Sequence, residues 1–84
     1  MNKKNKQTYD AIYQDPIRSD IKWPDVVSLF SALGTEISEE SGSRVRFKLN
    51  GERAVFHRPH PGNIIDKAAI KGMRQFLENA EVVI

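Results

Sequence analysis

Asn50-Gly51 constrains this chain more than any other feature. It separates Arg44-Val-Arg-Phe-Lys-Leu49 from Glu52-Arg-Ala-Val-Phe-His57, two runs in which charged and apolar residues alternate. Both turn residues tolerate positive φ, as the two-residue turn of a β-hairpin requires. Cross-strand partners then step outward together, so Leu49 faces Glu52, Phe47 faces Ala54 and Val45 faces Phe56 on one side. The other side carries Arg44, Arg46, Lys48, Arg53, Val55 and His57. In this register Arg44 lies directly opposite His57. One face of the hairpin needs an apolar cover, and the other is basic.

Two amphipathic segments can supply that cover. Trp23-Pro24 opens a helix in which Trp23, Val26, Val27, Phe30 and Leu33 form one stripe, ended by Gly34. Asp66 is an N-cap candidate for a second helix, whose stripe is Ala69, Ile70, Met73, Phe76, Leu77 and Ala80. Gly72 inside that helix points to a close approach by a neighbour. Thr35–Ser38 reads as a short strand and Glu39–Ser43 as a turn. Arg58-Pro-His-Pro-Gly-Asn63 reads as a loop, because its two prolines cannot donate to a ladder. Ahead of all this, Tyr9, Ile12 and Tyr13 predict a short helix over Asn5–Gln14, closed by Asp15-Pro16. Residues 1–4 read as a loose lysine-rich end, Ile17–Lys22 as a connector and Glu81–Ile84 as a tail or short extra strand.

The expected fold class is therefore α+β: a three-stranded antiparallel sheet with helices on one face, in the order α-β-β-β-α behind an additional N-terminal helix. Eighty-four residues suit one small domain. The 29% of charged residues and 39% of hydrophobic ones fit a folded soluble domain. No cysteine is present, so disulfides and thiolate metal sites are excluded. No apolar run approaches the roughly 20 residues needed to cross a bilayer. Lys3-Lys4 is not followed by the apolar stretch of a signal peptide. A cytoplasmic protein without membrane contact is the expectation.

The net charge of +2 matters less than its distribution. Cations gather on the hairpin and on the last helix, at Lys67, Lys71 and Arg74, and such a patch attracts phosphate. A solvated charged face satisfies the same composition.

From Trp23 onward the chain resembles the HicA family of bacterial toxins. The residues that carry this are the helix Trp23…Leu33-Gly34, Gly42-Ser43 leading into a strand that ends in Phe47, Arg58-Pro59-His60, and the closing helix with Phe76-Leu77…Ala80. The resemblance implies a double-stranded-RNA-binding-domain-like fold over residues 23–84, with residues 1–22 as an extension. It also implies an mRNA-cleaving activity that needs no metal or cofactor, and a HicB-like antitoxin partner. Family members usually read Gly-Ser-His where this chain has Gly42-Ser43-Arg44, and that histidine is the one tied to cleavage.

Arginine holds its proton too tightly to act as general acid or base near neutrality. Proton transfer must then fall to the two histidines present, His57 and His60. The expected arrangement has the imidazole moved across the hairpin: His57 transfers protons, and Arg44 with Arg46 grips the phosphate. His60, between two prolines, matches the family's loop histidine and suits either ligand contact or a loop-fixing bond. Lys48, Arg53, Arg58, Lys67, Lys71 and Arg74 complete the candidate phosphate-binding set, and no metal site is expected. The competing readings are a non-catalytic RNA-binding module and a protein-interaction domain whose basic face meets an acidic partner.

Overall fold

The positive φ values of Asn50 (50°) and Gly51 (81°) close the hairpin as expected. The Asn50 side chain adds a second role, its Nδ2 donating to the Ala80 carbonyl at 2.9 Å. The turn is thereby tied to the far end of the last helix. The computed structural model describes all 84 residues. Its elements are α1 (Lys3–Ile12), α2 (Trp23–Ala32), β1 (Glu36–Glu39), β2 (Arg44–Leu49), β3 (Glu52–His57) and α3 (Lys67–Asn79). The sheet is antiparallel in the order β1-β2-β3.

Register and facing follow the alternation in the sequence. Val45 pairs with Phe56, Phe47 with Ala54 and Arg44 with His57. Val45, Phe47, Leu49 and Phe56 are buried, while Arg44, Arg46, Lys48, Arg53 and His57 are exposed. Both long helices cover the apolar face. Phe47 is the centre of the core, with ring centroids 5.0 Å from Phe30, 5.2 Å from Phe56 and 5.9 Å from Trp23. Leu29, absent from the expected stripe, is fully buried beside Phe30.

Two of the three helices are capped by side chains at their N-termini. Asp66 caps α3 by accepting from the Ala69 amide at 2.7 Å. A Cβ on Gly72 would lie 3.2 Å from Cε1 of Phe56, so glycine there lets α3 sit close to β3. Asn2 caps α1 by accepting from the Asn5 amide at 2.7 Å. That cap starts the helix at Lys3, two residues before the expected Asn5, so Lys3 and Lys4 are helical and not a loose end.

α1 packs against α2 and α3. Ile12 is fully buried in the common core, and Asn5 is buried because its Oδ1 accepts from Ser28 Oγ at 2.9 Å. The two segments read as connectors also meet. Lys22 and Ile64 form an isolated bridge, the Ile65 amide donates to the Ile21 carbonyl at 2.9 Å, and both isoleucines are buried. This brace holds the loop after β3 against the start of α2. Glu81–Ile84 is a tail and adds no strand.

Candidate nucleic-acid interface

The end of β3 and the loop after it build an open cleft of about 580 Å³. His57 reaches it from the last position of β3, and His60 from the loop. Arg58 and Ser43 line it from the sheet side, Asp66 and Ala69 from the first turn of α3. The Arg58 amide extends the hairpin ladder by donating to the Ser43 carbonyl at 2.7 Å, which fixes the start of the loop. The two histidines, three positions apart in sequence, thus open on one space. No three His, Cys, Asp or Glu side chains cluster as a metal site would require.

Beyond the cleft, the outer face of the sheet is a row of cations on β2 flanked by Arg53 and His57 on β3. Lys48 and Arg53 are direct cross-strand partners, a like-charge juxtaposition that costs the free fold stability. The Arg44 guanidinium leans toward the preceding turn, with Nη2 donating to Ser41 Oγ at 3.0 Å and Nε to the Ser41 carbonyl at 3.4 Å. Its backbone faces His57, while its guanidinium is bonded to Ser41.

The face is also less uniformly basic than the hairpin alone indicates. β1 adds Glu36 and Ser38, paired with Lys48 and Arg46, to one edge. Glu40, just past β1, forms a 2.7 Å ion pair with Arg46, while Glu39, turned to the helix-covered face, pairs with Arg58. These carboxylates were visible in the sequence as an acidic cluster. Continuing the strand alternation backward through the Gly42 turn would have placed Glu36, Ser38 and Glu40 on the outer face.

The candidate cations therefore divide. Arg58 shares the cleft with His57 and His60, and Arg44 stands across the ladder from His57. Arg46, Lys48 and Arg53 extend the face toward the Asn50-Gly51 turn. Lys67 and Lys71 are exposed on α3 and line neither the cleft nor the sheet face. Arg74 is engaged differently from the expected cationic edge. Its Nε donates to the Ile12 carbonyl at 2.5 Å and its Nη2 to the Gln14 carbonyl at 2.7 Å. Asp15 lies 3.5 Å from the same guanidinium, which also sits 5.8 Å from the centre of the Tyr13 ring. It closes the C-terminal end of α1, where carbonyls lack helical partners and attract cations.

In the comparison with known protein families, the family described as "HicA toxin of bacterial toxin-antitoxin" matches residues 23–82. The matched span takes in α2, the whole sheet, both histidines and α3, with α1 ahead of it. Neither the curated proteins nor the solved structures gave a match.

Proposed function

This chain belongs to the HicA family of toxins from bacterial toxin–antitoxin systems, and from that premise we propose that it is a small endoribonuclease that cleaves mRNA and so halts translation. A HicB-like antitoxin would neutralise it by covering the basic face. The reading rests on the convergence of His57, His60 and Arg58 on one open cleft, with Arg44 in register across from His57.

In the proposed reaction His57 takes the proton of a ribose 2′-hydroxyl as that oxygen bonds to the adjacent phosphorus. The bond from phosphorus to the 5′-oxygen breaks, and the departing oxygen takes a proton from His60. Arg58 and Arg44 take up the charge that builds on the non-bridging oxygens. To do so, Arg44 exchanges its bonds to Ser41 for phosphate, and Arg58 exchanges Glu39. Both residues are exposed, and ion pairs at such sites are worth about 0–1 kcal/mol, so the exchange is cheap. Phosphates bound farther along the face relieve the repulsion between Lys48 and Arg53.

The test is incubation of the purified protein with RNA in the presence of a chelator, followed by analysis of the product ends. The proposal expects 2′,3′-cyclic phosphate and 5′-hydroxyl termini. RNA binding without cleavage would instead leave a non-catalytic module, the reading that Arg44 at the family's usual histidine position favours. No RNA affinity at low salt would point to a domain that recognises only an acidic protein.

A further inference from the structure

Arg58 also lines a second groove, of about 540 Å³, between the start of α2 and the β1 edge of the sheet. Trp23, Pro24 and Val27 form its helix wall, and Ile37 forms its sheet wall. Glu39 and Arg58 stand at its rim. The groove exists because Ile37 and Glu39 pair with Phe47 and Val45, which turns them to the helix-covered face of the sheet. β1 lies at the edge of that face, and α2 leaves its end incompletely covered. The volume lies in the range of about 300–1,000 Å³ typical of small-ligand sites.

We propose that this groove is a subsite for one unpaired nucleobase of the RNA whose phosphate lies on Arg58. The proposal rests on the RNA-cleaving reading above and adds to it the form of RNA that is taken. Arg58 lines both spaces, so a phosphate held on it in the histidine cleft brings the attached nucleoside within reach of the groove. Its lining suits a base: apolar walls for the faces of a heteroaromatic ring, and at the rim a carboxylate that accepts and a guanidinium that donates. The Glu39 and Arg58 side chains are 69% and 47% exposed, so both retain bonding capacity toward a ligand. A base can enter only when it is free of a duplex, which makes single-stranded RNA the preferred form.

The test compares two uncleavable 2′-O-methyl hexanucleotides of equal charge, one bearing bases and one abasic throughout, by fluorescence anisotropy. The wild-type protein is expected to bind the base-bearing oligonucleotide about fivefold or more tightly, the lower end of what one stacked base contributes. Val27→Trp fills the groove with a neutral ring and is expected to abolish this preference while leaving affinity for the abasic oligonucleotide unchanged, which also reports that the variant is folded. Glu39→Gln, on the exposed rim where folding is not at stake, is expected to reduce the preference at least twofold. Absence of a preference, or its survival in both variants, overturns the subsite while the RNA-cleaving reading stands. Failure to bind either oligonucleotide overturns both. Loss of antitoxin binding in Val27→Trp with an unchanged preference for bases would give the groove to a protein partner and overturn the proposal.

Discussion

Tyr13 shows how burial at one residue sets the protein's response to pH. Its phenol is pushed up to about 12, chiefly by burial, then by the neighbouring Tyr9 phenol and the Glu78 carboxylate, with Arg74 opposing. The folded protein therefore holds this proton more tightly than the unfolded chain, whose phenol titrates near 10. The contribution to stability is complete below pH 10 and is lost as pH rises through 10 toward 12. Tyr13→Phe removes the ionisable group. Its hydroxyl makes only a long 3.5 Å bond to the Arg74 carbonyl, so near neutrality the variant is expected to match the wild type within about 1 kcal/mol. Denaturant titrations should diverge above pH 10, with the wild type losing stability faster. Parallel curves would show that Tyr13 stays protonated equally in both states.

At the scale of elements, the hairpin and the two long helices were legible because their information is local and periodic. A period of two fixed which residues of Arg44–His57 face the core, and the Asn50-Gly51 turn fixed which pairs oppose each other. The pairing of Arg44 with His57 follows from those two facts alone. The joint between α1 and α3 was not legible. Arg74 has its partners at Ile12 and Gln14, some sixty positions away, and nothing in the spacing of Lys67, Lys71 and Arg74 separates a phosphate contact from a clamp on carbonyls. The Asn5 bond to Ser28 is hidden for the same reason. Arg74→Ala is accordingly expected to destabilise the protein by about 2 kcal/mol, the scale of losing charged hydrogen bonds to the part-buried Ile12 carbonyl and the exposed Gln14 carbonyl. Its affinity for RNA under folding conditions should change less than twofold. A stable variant with much weaker RNA binding would return Arg74 to the interface.

Taken whole, the molecule separates its core from its candidate site. The four phenylalanines and the helices that cover them form the core on one face of the sheet, while the hairpin cations Arg44, Arg46, Lys48 and Arg53 lie on the other face and the histidine cleft at one end. The cleft is held by connections that periodicity could not reveal: the bridge of Lys22 to Ile64 and the ladder extension through Arg58 and Ser43. Sequence reasoning placed His57 by register, but it placed His60 only as a loop residue, since a loop's path depends on what it packs against. The role proposed for the imidazole opposite Arg44 is the work of the family's usual histidine. Its most direct measurement is the initial rate of RNA cleavage, in chelator, by wild type, His57→Ala and His60→Ala, each shown to be folded. Loss of one general base typically costs 10²–10⁴-fold, so a fall of at least about a hundredfold is expected for His57→Ala. Cleavage that persists in His57→Ala and is abolished in His60→Ala would contradict it.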